Sequence, residues 1–176
     1  MKAISRRGRY FRVFKPGWSD PLDTTPNRER GGRWNAAWSF GALYLNATLA
    51  VAAANARRQH IGRAIGLFDL RPERRPSLLT VEVPGSLHLD VITPAGVKAL
   101  HLPAHYPWNI GHDRTRPIGK RAYAQIRLRG IACRSAAECT ASEWIGEELA
   151  WFDRSPKLAE VARQPFAAWY PDPHPD

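Results

Sequence analysis

Acidic side chains are scarce in this chain: 16 Asp and Glu stand against 26 Lys and Arg, a formal net charge of +10 at pH 7. That balance points to a polyanionic partner, an acidic protein partner or a phosphate-bearing small molecule. The positive charge is scattered along the sequence, and no tail of like charge is present. Cysteine occurs only twice, at Cys133 and Cys139, with no ligand cluster of zinc type around either. Two reduced thiols in a cytosolic chain are the expectation. No run of about 18 apolar residues occurs, which argues against a membrane span. The basic start MKAISRRGRYFRVFK has no apolar segment or small-residue cleavage site behind it, so it does not read as a signal peptide. Walker, HExxH, GxSxG, paired CxxC and GxGxxG motifs are all missing. The six histidines lack metal spacing, because Pro103 breaks the helix that His101 and His105 would need, and no metal is expected.

What the chain does contain is 7 Trp and 15 Pro, a composition of irregular loops pinned by aromatics rather than of a helical bundle. RYFRVFK (9–15) alternates and reads as a strand, and 16–32 reads as loop. ALYLN (42–46) is a short strand. Thr48 then caps an alanine-rich helix expected over about 48–63. SLLTVEVPG and SLHLDVIT (77–93) read as two strands joined by a Pro-Gly turn. Thr93-Pro94 opens a short helix, and a helix follows Pro117 within 114–130. GIACRSA (130–136) is a strand ending at a serine. Beyond about Thr140, EWIGEELAWFD reads as strand, a short helix follows Ser155-Pro156, and the tail YPDPHPD reads as loose. Mixed strands and helices without regular βαβ alternation favour one α+β domain over residues 1–176, with a mixed or antiparallel β core and flanking helices.

Four residues carry chemical interest. GGRWN sets Arg33 directly after two glycines, where the backbone can approach a ligand and the guanidinium can grip a phosphate or carboxylate. Tyr44 ends an apolar strand eleven residues on, with a ring face and a hydroxyl. Asn55 projects from the following helix, and much later CRSA ends a strand at Ser135. Spacing alone also allows a surface ion-pair arginine, a core tyrosine and a solvated asparagine.

The run GGRWN…SFGALYLN, with YFRVFKPGW before it and RTRPIGKRAYAQIRLRGIACRSA after it, resembles the RES domain, the toxin half of a family of bacterial toxin–antitoxin pairs. The resemblance covers about 9–137, leaving 138–176 as a C-terminal extension packing on it. It implies a fold similar to ADP-ribosyltransferases and NAD as substrate, consumed as a glycohydrolase or phosphorylase or by ADP-ribosyl transfer. Arg33 then matches the family's name-giving Arg, Tyr44 its active-site Tyr and Ser135 its Ser. Arg33 would hold a phosphate of NAD with Arg12 as a second contact. Tyr44, with Trp34 nearby, would stack on nicotinamide, and Ser135 would bond the nicotinamide end or its ribose. An antitoxin of helix-turn-helix type is the implied partner, and homo-oligomerisation is left open.

One departure stands out: the family's Glu falls on Asn55. Bond cleavage develops positive charge on the ribose, and Asn55 carries no charge to meet it. Loss of such a group lowers a rate by on the order of a hundredfold. Three readings follow: a weakened, NAD-binding or regulatory protein, a substitute carboxylate for which Glu138 and Glu143 lie nearest Ser135 in sequence, or altered chemistry. A basic nucleic-acid-binding module, suggested by aromatics beside arginines, is a further alternative.

Overall fold

A computed structural model of the chain describes residues 1–171. Among the described residues, six strands and five short helices alternate irregularly: β1 (Ala3–Phe14), α1 (Thr25–Arg30), β2 (Ala42–Asn46), α2 (Leu49–Arg58), β3 (Ser77–Val91), α3 (Pro94–Ala99), α4 (His112–Tyr123), β4 (Gly130–Arg134), β5 (Glu147–Phe152), β6 (Ala159–Gln164) and α5 (Phe166–Trp169). The sheet runs β1-β2-β5-β4-β3-β6, and β1 also pairs with β3, so the first five strands close into a circuit and β6 lies outside it. β3 and β4 are parallel and the other pairings are antiparallel. The expected mixed α+β domain is what forms.

Period-two alternation sorts the apolar residues of this circuit into two layers. Tyr10, Leu43, Leu45, Val81, Leu149 and Trp151 pack together and, with Ala132 of β4, fill the inside, so that each of the five strands of the circuit contributes. Ala42, Leu89, Ile131, Cys133, Ala150 and Phe152 face outward and are covered by Trp34, Tyr106 and Ile118. On another outer face, the small residues Ala52, Ala53 and Ala56 let α2 lie close to Leu78, Phe166 and Trp169. Thr48 caps α2 as expected, its Oγ1 accepting from the Val51 amide at 3.2 Å. The helix stops at Arg58 rather than near 63, just before the turn that contains Gly62 in the left-handed region at φ 76°.

Several expectations change. The Pro84-Gly85 pair does not turn the chain. β1 pairs with β3 on both sides of it, Arg6 opposite Ser86 and Gly8 opposite Val83. Two residues of β3 therefore face one of β1, which is a β-bulge, and Pro84 is tolerated there because the bulge needs no donor from it. α4 begins at His112, so Pro117 lies inside the helix and forfeits only one backbone bond. After Ser155-Pro156 comes β6, which adds to the free side of β3, and not a helix. Segment 138–176 does more than pack on the domain: β5 lies between β2 and β4 in the middle of the sheet. The tail expected to be loose lies, from residue 172 on, outside the described residues. Both cysteines are free thiols, and no helix among the described residues is long and apolar enough to cross a membrane.

His88 gives the fold a pH dependence. It is fully buried, with Nε2 3.0 Å from the Ser86 hydroxyl and Nδ1 shielded without a partner among the described residues. Burial, then the charge of Arg6, pushes its pKa down from 6.5 to about 4. The folded state holds the ring neutral while the unfolded chain takes up a proton below 6.5. Stability is therefore complete above that value and falls as the pH drops toward 4, by about 2–3 kcal/mol. Urea unfolding at about pH 7 and about pH 4.5 checks this, because the His88→Gln variant should lose that much less stability than the parent between the two.

Candidate functional site

The register of β2, β5 and β4 assembles the site. Asn46 lies opposite Glu148, and Glu148 opposite Cys133. Alternation sends Leu43, Leu45 and Leu149 inward and leaves Tyr44, Asn46, Glu148 and Cys133 on the outer face. Ser135, two residues beyond Cys133, continues that face, its amide fixed to the Gly146 carbonyl at 2.8 Å.

At the centre is a carboxylate. Glu148 Oε1 accepts from Ser135 Oγ at 2.7 Å and from Asn55 Nδ2 at 2.9 Å. The same Asn55 amide donates to Asn46 Oδ1 at 2.7 Å, and Asn46 in turn donates to the Phe11 carbonyl at 3.0 Å. Glu148 is half-buried, and its Oε2 takes no hydrogen bond among the described residues. Its neighbour Glu147 points the other way and is held by Arg6 Nε at 2.7 Å and Nη2 at 2.8 Å. The two adjacent glutamates thus have different tasks. Glu147 is neutralised inside the fold, whereas Glu148 has no cation partner within ion-pair distance among the described residues.

The GGRWN loop forms the neighbouring wall. Gly32 passes so close over Tyr44 that an added Cβ would sit 2.6 Å from the phenol oxygen, which only glycine avoids. The Tyr44 hydroxyl accepts from the Trp34 amide at 3.0 Å and donates to Asn35 Oδ1 at 3.3 Å. Asn35, fully buried, donates to the Phe40 carbonyl at 2.8 Å and to Asn27 Oδ1 at 3.0 Å. α4 grips the loop from above: Thr115 Oγ1 donates to the Arg33 carbonyl and Arg116 Nε to the Gly32 carbonyl at 3.1 Å. Arg33 is therefore fixed through its backbone on both sides. Its Nη1 is shielded from solvent with no partner among the described residues. Its positive field reaches Tyr44, Tyr106, Cys133 and His112.

Burial raises the Tyr44 phenol well above its usual value, so the hydroxyl stays protonated and acts as a brace. Cys133 is fully buried beside the Trp34 indole and the Tyr106 hydroxyl, and burial pushes its thiol up to about 12, which makes it inert as a nucleophile. Around the mouth, Arg116 Nη2 lies 3.3 Å from His112 Nδ1. Burial first, then the charges of Arg116, Arg33 and Arg58, lower the His112 pKa. Arg58 is anchored on the Ala136 carbonyl, one residue past Ser135. Arg33, Arg58 and Arg116 thus converge from three separate elements, and none forms an ion pair among the described residues.

Of the residues singled out from sequence, Ser135 and Asn55 meet on one carboxylate, and Tyr44 and Arg33 share the adjoining wall. Two do not fit the part expected of them. Trp34 is 0% exposed and turned into the outer core, with its ring 6.3 Å from that of Tyr106, so it supports the wall and offers no surface for stacking. Arg12 projects to the other side of the sheet, since its neighbours on that face are Tyr10 and Phe14. Its Nη1 reaches the backbone carbonyl of Tyr44 at 3.3 Å, and burial pulls its pKa down to about 10. It underpins the strand and is no second phosphate contact. The substitute acids named from sequence are elsewhere too: Glu138 pairs with Arg57 at 2.6 Å and Glu143 is exposed on a turn. Glu148 went unseen, although the alternation Glu148-Ala150-Phe152 placed it on a definite face.

The chain matches the family model described as RES domain over residues 9–173. In structure it is similar to a chain of the M. tuberculosis MbcT–MbcA toxin–antitoxin complex, with a TM-score of 0.75, 20% identity, and coverage of 93% of this chain and 86% of that one. This structural neighbour is part of a toxin–antitoxin complex. A search of curated proteins by sequence finds no match. Because the family model spans nearly the whole sequence, with both walls of the site inside the match, the chain belongs to the RES domain family.

Proposed function

We propose that this protein is a RES-type toxin that consumes NAD by cleaving the bond between nicotinamide and ribose, on a fold related to ADP-ribosyltransferases, and that a partner antitoxin silences it. The observation that carries the reading is Arg33: a cation fixed by its backbone, with Nη1 shielded from water and unpartnered among the described residues. A buried donor without an acceptor is penalised unless a ligand supplies one. A diphosphate matches a guanidinium in charge and geometry. Family membership and the toxin–antitoxin complex of the structural neighbour support the same assignment.

In this reading Arg33 holds the diphosphate, with Arg58 and Arg116 raising the local positive potential. The Tyr44 ring walls the nicotinamide end while its hydroxyl keeps the arginine loop in place. Nicotinamide departs with the bonding electron pair as a neutral molecule, and C1′ and the ring oxygen of the ribose share the positive charge until an acceptor adds. A basic surface of net charge +10 favours an acidic antitoxin segment.

Incubating the purified protein with NAD tests this. Free nicotinamide should accumulate, and NAD should raise the melting temperature by mass action. Absence of both would contradict the proposal.

A further inference from the structure

We propose that Glu148 is the catalytic carboxylate of this protein and that Asn55 is its positioning residue: the acid has moved from helix α2 to strand β5. The inference rests on the NAD-cleavage reading and says which group meets the charge that develops in it.

The geometry supports this in four ways. First, the two positions converge. Asn55 Nδ2 is 2.9 Å from Glu148 Oε1, so side chains from α2 and from β5 reach the same point on the outer face of the sheet. A charge lost at 55 is regained within one hydrogen-bond length. Second, a glutamate at 55 would place two carboxylates in contact, and two carboxylates sharing a site cannot both ionise readily. With the acid on β5, an amide at 55 becomes the fitting partner, because it donates where a second acid would repel. The asparagine is a consequence of the move and not a lesion.

Third, Glu148 is held in one orientation. Ser135 Oγ and Asn55 Nδ2 both donate to Oε1, at 2.7 and 2.9 Å, and Asn55 is itself fixed through Asn46 to the backbone of β1. Oε2 is left without a hydrogen bond among the described residues. Fourth, the charge is not spent internally. Glu147 one residue earlier is paired with Arg6 and bonded by Tyr10, whereas Glu148 enters no ion pair among the described residues. Preorganised negative charge in a half-buried site, aimed where a cation forms, is the arrangement that stabilises a glycosyl cation.

The step balances without any further reagent. The C1′–N bond breaks and its electron pair passes to nicotinamide, which leaves neutral. The ribosyl cation is stabilised by the Glu148 carboxylate. With water as acceptor, a new C1′–O bond forms and one proton is released to solvent.

The test measures nicotinamide release, with kcat and KM determined separately, for the parent, Glu148→Gln, Asn55→Ala and the exchange variant Asn55→Glu/Glu148→Gln. Glu148→Gln should lower kcat by about a hundredfold or more, with KM within a few-fold and the NAD-induced rise in melting temperature retained. Asn55→Ala removes a donor that orients the Glu148 carboxylate, so kcat should fall about tenfold or more while KM stays within a few-fold and the NAD-induced rise in melting temperature is retained. A purely structural role would lower the melting temperature and leave kcat of the folded protein unchanged. The exchange variant, with the acid back on α2 and an amide on β5, should recover most of the lost rate. A Glu148→Gln protein that folds and turns over NAD like the parent overturns the role of Glu148 and leaves NAD cleavage standing. A failed exchange variant overturns the idea that the two positions are interchangeable. A parent that binds and cleaves no NAD overturns the underlying reading itself.

Discussion

Replacing Arg33 by alanine should abolish NAD-dependent stabilisation and lower kcat/KM by about a hundred- to a thousandfold, while leaving the stability of the free protein unchanged or slightly higher. The unusual part is the second half. Arg33 Nη1 is shielded and has no hydrogen-bond partner among the described residues, so in the free protein it contributes an unmet donor. Its backbone carbonyl, by contrast, receives Thr115 Oγ1 and is untouched by the substitution. Truncation removes the penalty and keeps the tether, which is the signature of a group kept for binding at the expense of stability. Arg33→Lys should recover little, because an ammonium cannot match the planar fork of a guanidinium on a diphosphate. Melting curves with and without NAD check both halves. An alanine variant that melts several degrees lower and still responds to NAD would mean that Arg33 serves the fold and not the ligand.

Gly119→Ala is the second expected large effect, and it acts through the fold. A Cβ at 119 would lie 1.8 Å from the Trp34 carbonyl oxygen and 2.7 Å from its carbon, both backbone atoms that have no rotamer by which to yield. Either α4 must lift or the GGRWN loop must move. Lifting α4 breaks the hydrogen bonds from Thr115 and Arg116 to the loop and exposes Ile118, now 3% exposed against the outer core. Overpacking of this kind destabilises by about 3 kcal/mol, and the displaced loop carries Arg33 with it. Urea unfolding should show that loss, and the surviving folded protein should bind NAD poorly. A variant within about 0.5 kcal/mol of the parent would show that the helix–loop contact is softer than its geometry implies.

Local signals reached some of this architecture and missed the rest for identifiable reasons. ALYLN is strand at the residues expected because it is short, apolar and bounded on both sides, and Thr48 caps α2 because a hydroxyl followed by an alanine run leaves it little else to do. Ser135 was found because it ends a β-rich run. Arg33 and Tyr44 were legible because one loop and the strand after it hold them eleven residues apart. Tertiary pairing decided the rest. Pro84-Gly85 has the composition of a turn, yet β1 supplies a continuous partner on both sides, so the chain bulges and runs on. Trp34 stands in a motif rich in ligand-type residues, but α4 closes over it and burial outweighs any part in stacking. Glu148 is the most instructive case. Nearness along the chain suggested Glu138 and Glu143, whereas nearness in space was set by the β4–β5 register, which places Glu148 opposite Cys133 across a connection of twelve residues (135–146). No local pattern encodes that register. The same pairing changes the meaning of Asn55, from the site of a missing acid to the partner of a present one.

The most direct measurement is a proton NMR time course of NAD with the parent protein and with Glu148→Gln, side by side at equal concentration. Free nicotinamide signals should grow with the parent and grow about a hundredfold more slowly or more with the variant, while both proteins bind NAD. Equal rates in the two samples, or no nicotinamide in either, would contradict a cleavage site built on Arg33, Ser135 and Glu148.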